Sequence, residues 1–235
     1  YEKQLISGVT DFRLNLPMVL SQGLPPGTDC DEQVQILCCF PDHVSAFVPQ
    51  WQFNPGAGAW KVTYHEGHPQ DPDAALNPKD NRIAFAAVLA EIAEFAGVIG
   101  YPAFTDIFNT ALAILSERDP YQPLQKPDII PGAPYGSILA AADVADVFGA
   151  TGSWMDLPPS EAQKCGRAED FRELSVRLFT AQRQALMYAV NSCDLSGGRQ
   201  HPERAPDPRH RRHIFLGLGG ALAALIVTLV LVLLS

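Results

Sequence analysis

The chain has no Cys-x-x-Cys pair, no Asn-x-Ser/Thr sequon and none of the short motifs that mark the common catalysts. Its five cysteines (Cys30, Cys38, Cys39, Cys165, Cys193) are odd in number and scattered, which argues against a disulfide framework and against a zinc finger. With the missing sequons, this leans toward a reducing, internal compartment and away from the secretory route. A phosphate-cradling P-loop, a His-Glu-x-x-His zinc helix, a Gly-x-Ser-x-Gly elbow and the kinase set are all absent. Gly56-Ala57-Gly58 lacks the third glycine of a dinucleotide fingerprint and reads as a turn. No catalytic residue and no cofactor is assigned on this sequence.

Positive charge is scarce in most of the chain. Leaving out the five arginines and two acidic residues beyond position 194, 12 basic residues face 24 acidic ones, a net charge of −12. Such a domain repels phosphates, so nucleic acid is excluded as a partner. It is also poorly suited to lying flat on an anionic lipid surface.

What is present is concentrated at the end, RHRRHIFLGLGGALAALIVTLVLVLLS. Residues 214–234 carry no charge, and Thr228 is their only polar side chain. As a helix rising 1.5 Å per residue, this run is long enough for a hydrocarbon core of about 30 Å. Only a helix lets one isolated segment satisfy its own backbone there. Arg209, Arg211 and Arg212, with His210 and His213, precede the run, and Ser235 alone follows it. The positive-inside rule keeps the N-terminal side in the cytoplasm, matrix or stroma, the mitochondrial inner membrane being one such setting. A rival is a lipid-anchor signal with Ser196-Gly197-Gly198 as its small residues, although the basic spacer 199–213 is longer than usual. Gly217 and Ala221, and Gly220 and Ala224, form small-xxx-small pairs that would let another membrane helix approach closely. The chain opens on Tyr1, which points to a removed presequence or a longer parent chain.

The rest predicts an α+β fold, a small antiparallel sheet followed by a helical bundle, plus one C-terminal transmembrane helix. The expected organisation is an irregular segment over 1–29, a soluble domain over 30–194, a basic proline-bearing tether over 195–213, and the span over 214–235. Strands are expected at 33–40, 43–53 and 59–67, the last two joined by a turn at Asn-Pro-Gly-Ala-Gly. In the last strand Trp60, Val62 and Tyr64 alternate with Lys61, Thr63 and His65. The run 82–100 predicts a helix buried on all sides, because 83–90 has no polar side chain. An amphipathic helix follows at 103–118, then a proline-rich connector at 120–134 and a short helix at 137–148. Ser160 and Gln163 suggest a capping box for a last long helix ending near Asn191. Phe171, Leu174, Leu178, Ala181 and Ala185 give that helix a packing seam.

Four groups invite a chemical reading. His65, His68, Asp71 and Asp73 could converge on a metal, but their spacing matches no ligand pattern, and a solvated acidic loop is the simpler account. Cys38 and Cys39 should diverge on a strand, with Cys38 packing as a small hydrophobe. Glu91 and Glu94 are a possible carboxylate pair, or the wet edge of their helix, or partners for an arginine. Asp42, His43 and Ser45 have the composition of a hydrolase triad without its geometry.

These observations lead to the expectation of a membrane-anchored, non-catalytic subunit of a larger membrane protein complex, a respiratory or photosynthetic assembly for example. Its partners would be the bilayer and other membrane subunits, reached through Arg211, Arg212, Gly217, Gly220, Ala221 and Ala224. Two alternatives stay open: a tail-anchored enzyme whose site no motif reveals, and an exterior lipid-anchored or single-pass binding domain.

Overall fold

The computed structural model describes residues 8–16, 34–116, 135–149 and 152–193. The antiparallel sheet and the helices of the α+β expectation are both present. The tether and the apolar run lie outside the described residues, as do the connector 120–134 and the loop prolines before β2. Among the described residues, no helix is long and apolar enough to cross a membrane.

The sheet has four antiparallel strands in sequence order: β1 (Asp11–Asn15), β2 (Gln35–Cys39), β3 (Val44–Asn54) and β4 (Ala59–Gly67). The first of these corrects the reading of 1–29 as irregular. Asp-Phe-Arg-Leu-Asn offers only Phe12 and Leu14 as alternating apolar residues, and its pairing, Leu14 to Ile36 and Phe12 to Cys38, is supplied by β2. In β2 both Leu37 and Cys38 are buried, although they point to opposite faces. The β3–β4 turn is fixed by Asn54, whose Oδ1 accepts from the backbone N–H of Gly56 (3.0 Å) and of Ala57 (3.2 Å). Gly58 closes it at φ +59°, a left-handed conformation that a side chain would strain.

Among the described residues six helices follow: α1 (Asp73–Leu76), α2 (Arg82–Val98), α3 (Pro102–Ser116), α4 (Tyr135–Val144), α5 (Pro158–Lys164) and α6 (Ala168–Asn191). The helices α2, α3, α4 and α6 close a ring, each packing on the next, and β1 meets α1 and α6. The expected all-round burial of α2 is corrected. It buries Phe85, Val88, Leu89, Ile92, Ala93, Phe95 and Ala96 on one side, but Ile83 is 88% exposed and Val98 57%. Its outer face is mostly alanine and glutamate, residues that favour helix without demanding cover. The most enclosed of the described helices is α4, where every residue from Gly136 to Ala142 is buried. Its small side chains allow neighbours on all sides to approach.

The last long helix is in fact two. Pro158 and Pro159 start α5, where a missing N–H costs nothing. It ends in a Schellman motif, with Gly166 at φ +69° and the Arg167 N–H donating to the Ala162 carbonyl (2.7 Å). Ser160 therefore sits inside α5, its hydroxyl donating to the Leu157 carbonyl, and forms no capping box with Gln163. Gly100, at φ +83°, ends α2 in the same way. The seam of α6 closes on the protein's own core through Phe171, Leu178, Ala181 and Ala185, with Leu174 packed beside them.

Trp154 occupies the middle of that core with no exposed surface. Phe171 stacks on it at 5.1 Å, and Phe104 and Phe108 meet it edge-on at 5.1 and 5.4 Å. Its indole N–H donates to the Ser175 hydroxyl (2.8 Å), which in turn donates to the Phe171 carbonyl (2.6 Å). A buried tryptophan with a satisfied polar end carries no desolvation penalty for it.

Candidate interaction surface

Residues 44–60 contain no charged side chain, yet from Gln50 onward they form the least covered part of the sheet. The strand β2 pairs with β3 only as far as Phe47. Beyond that row β3 and β4 continue alone as a two-stranded ribbon, from Val48–His65 to Asn54–Ala59. Seven strand residues past Phe47 extend it by about 23 Å.

Alternation sorts the ribbon into two unlike faces. Pro49, Trp51 and Phe53 share one with their partners Tyr64, Val62 and Trp60. Gln50, Gln52, Lys61, Thr63 and His65 lie on the other. The apolar face is covered near its root, where Pro49 is buried and Trp51 packs against the main core. Burial there pushes the Tyr64 phenol above its ordinary pKa. Cover ends at the tip, with Phe53 48% exposed and Trp60 63%. The two rings touch at 5.2 Å, and Trp60 meets Trp51 edge-on at 6.4 Å. Two large aromatic residues are thus held together in water by a cross-strand pair. The alternation of β4 was legible in sequence; that its Trp60 stays bare was not, because burial depends on how far β2 extends.

The four metal candidates are not brought together. His65 lies on the polar face of the ribbon, its Nε2 2.9 Å from Gln50 Oε1. The His68 carbonyl accepts from Gln35 Nε2 (3.2 Å), while Asp71 sits in an exposed loop at φ +41°. Asp73 is in the first turn of α1, accepting from Asn77 Nδ2 (2.9 Å). Among the described residues no group of three His, Cys, Asp or Glu side chains could hold a metal ion. The loop is shaped instead by two buried amides that the sequence reading passed over. Gln35 Oε1 accepts from the Gln70 N–H (2.9 Å) and from Asn15 Nδ2 (3.1 Å), and Asn15 also donates to the Gln70 carbonyl (2.7 Å).

The other chemical candidates resolve into structural roles. Glu91 is held by both terminal nitrogens of Arg177 on α6, at 2.6 and 2.9 Å, and that guanidinium holds its carboxyl below the ordinary glutamate pKa. This is the arginine-partner reading, and Glu94 takes no part in it. Ser45 donates to Glu66 Oε1 (3.0 Å), while His43 stacks on Phe40 at 4.4 Å and lies 2.8 Å from Asp42. Serine and histidine therefore belong to separate pairs, and no triad forms. Burial pushes the Cys38 thiol up to about 11, with the neighbouring Cys39 adding to the shift, so it is a packing residue rather than a nucleophile. The membrane-anchor positions Arg211, Arg212, Gly217, Gly220, Ala221 and Ala224 lie outside the described residues. Compared with protein-family models, with curated proteins and with solved structures, the chain gives no match.

Proposed function

We propose that the chain is a membrane-anchored, non-catalytic subunit of a larger membrane protein complex, with its acidic domain on the cytoplasmic, matrix or stromal side. The observation that carries this reading is the uncharged run 214–234, preceded by Arg209, Arg211 and Arg212 and bearing the small-residue pairs Gly217/Ala221 and Gly220/Ala224. A further support is where the domain hands over to its tether. The last turn of α6 is fixed to β1 by Asn191, so the tether starts from a rigid point.

The test is the native size of the chain in mildly solubilised membranes, with mass spectrometry of whatever migrates with it. The expected result is a particle of fixed composition well above the 25.5 kDa of the chain. Replacing Gly217 and Gly220 with leucine should then release the chain from its partners while leaving it in the membrane. A chain that migrates alone would refute the subunit reading and favour an anchored enzyme or binding domain. Side-specific labelling that finds the domain outside would favour the exterior alternative.

A further inference from the structure

We infer that the tip of the β3–β4 ribbon, Phe53 and Trp60 on the Asn-Pro-Gly-Ala-Gly turn, sits in the lipid–water interface of the membrane that anchors the chain. The inference rests on the proposed anchoring and adds a second, peripheral contact made by the folded domain.

Three observations select lipid as the occupant of this bare apolar tip. The first is its chemistry. Trp60 and Phe53 are exposed side by side on a hairpin whose residues 44–60 are uncharged, so inserting the tip strips no ion of water. The first charge on the ribbon is Lys61, immediately behind Trp60 on the opposite face, where its long stem can place the ammonium among headgroup phosphates. Aromatic side chains flanked by a cation are the composition of the interfacial belt.

The second is charge. The domain is strongly acidic, but between 44 and 67 only Lys61 and Glu66 carry formal charge at neutral pH, and they cancel. The ribbon carries none of the net negative charge that keeps the rest of the domain from an anionic surface.

The third is reach. Leu14, Ile36 and Phe47 form one row across the sheet, and Asn191 is bonded to Leu14 at its end. The ribbon runs on from Phe47 past this row, so α6 ends at the margin of the sheet from which the tip projects. Three strand spacings, about 15 Å, and the 23 Å of ribbon put the tip about 27 Å from Asn191. Residues 194–213 reach at most about 70 Å fully extended and about 25 Å as a flexible coil. A chain anchored at 214 therefore has a tether short enough to keep the domain near the membrane and long enough to let the tip reach the bilayer. Membrane attachment through two weak or unequal contacts is more selective for orientation than either contact alone.

Tryptophan fluorescence tests this in the full chain. The run 214–234 and the tether contain no tryptophan, so the three indoles, Trp51, Trp60 and Trp154, report on the domain alone. The chain is reconstituted into phosphatidylcholine vesicles with or without bromine on the acyl chains, which quenches an indole only on contact. Retention after alkaline carbonate washing reports the anchor separately. The expected result is retention, a loss of about one third of the emission in brominated vesicles, and disappearance of that loss in Trp60→Phe. Retention without quenching overturns the inference and leaves the anchor reading intact; a tip shielded only in the native complex, and not in vesicles, is then a protein contact. Quenching that survives Trp60→Phe also overturns it. Quenching without carbonate retention supports the tip contact and overturns the anchor, and the absence of both overturns both.

Discussion

Leu14 and Asn191 pair as two strands would, although one of them lies on a helix. The Leu14 N–H donates to Asn191 Oδ1 at 2.7 Å, and Asn191 Nδ2 donates to the Leu14 carbonyl at 2.9 Å. A side-chain amide thus supplies the donor and acceptor that an edge strand lacks, closing the outer side of β1. The same Nδ2 reaches the Ala75 carbonyl at 3.1 Å, and Arg13 donates to the Asn191 carbonyl. One residue ties together the first strand, the short α1 and the end of α6.

Asn191→Leu should therefore cost about 2–4 kcal/mol, the penalty of leaving buried backbone groups without partners. Asn191→Asp should cost a comparable amount, because a carboxylate accepts from Leu14 but cannot donate to either carbonyl. Urea unfolding of the full chain in detergent measures both. A loss below about 0.5 kcal/mol would mean that water replaces the amide and that β1 needs no such closure.

The pairing also shows which parts of the fold a sequence carries and which it does not. Strands β3 and β4 were legible because their alternation is long and their turn residues, Asn54 to Gly58, act within a few positions. The seam of α6 was legible for the same local reason. Strand β1 was not, since five residues with two apolar side chains gain their conformation from β2 and from a residue 177 positions away. The break at Gly166 was hidden by a helical pattern continuing on both sides of it, although glycine followed by a new acidic first turn was the available signal. The difference between α2 and α4 was illegible because both contain uninterrupted apolar stretches, 83–90 and 138–142. Only the ring of helices decides which of them is enclosed. The bare tip of the ribbon depends likewise on the length of β2, not on anything within the ribbon.

Trp154→Ala should be among the most damaging single changes in the domain. It removes the ring that Phe104, Phe108 and Phe171 surround, and large-to-small changes of this kind cost about 3–5 kcal/mol. Trp154→Phe keeps part of the packing and loses the bond to Ser175, so a smaller loss is expected. The two variants separate packing from hydrogen bonding, and thermal unfolding monitored by near-ultraviolet circular dichroism reads both. Equal losses would assign the main role to the indole N–H.

The Glu91–Arg177 pair bridges α2 and α6, yet both side chains are well exposed, 48% and 39%. Water and salt screen such pairs, so Glu91→Gln should cost less than about 1 kcal/mol despite the two-pronged geometry. Because the folded carboxyl titrates below its ordinary 4.5, the contribution is fully present above that pH and is lost as the pH falls through the lowered value. Stability of the wild type and of Glu91→Gln should converge in acid and differ slightly at neutral pH. A difference that persists in acid would assign the effect to helix packing instead.

The thiols should respond to pH in the opposite direction. Cys38 and Cys193 are both pushed up to about 11 by burial, against an ordinary value of 9.0. Well below pH 9 both states keep them protonated, and the folded state keeps the full benefit of their packing. Between 9 and about 11 the unfolded chain releases their protons while the folded chain retains them, so stability falls as the pH rises. Alkylation at neutral pH should accordingly modify the exposed Cys165 well before Cys38 or Cys193, as peptide mass mapping would show. Substituting Cys38 with alanine should flatten the alkaline loss at the cost of a small cavity between Phe12 and Ser45, its partners in the neighbouring strands. If Cys38 is labelled as fast as Cys165 under native conditions, the centre of the sheet opens far more often than its burial implies, and the pinning of β1 by Asn191 is weaker than its three short bonds suggest.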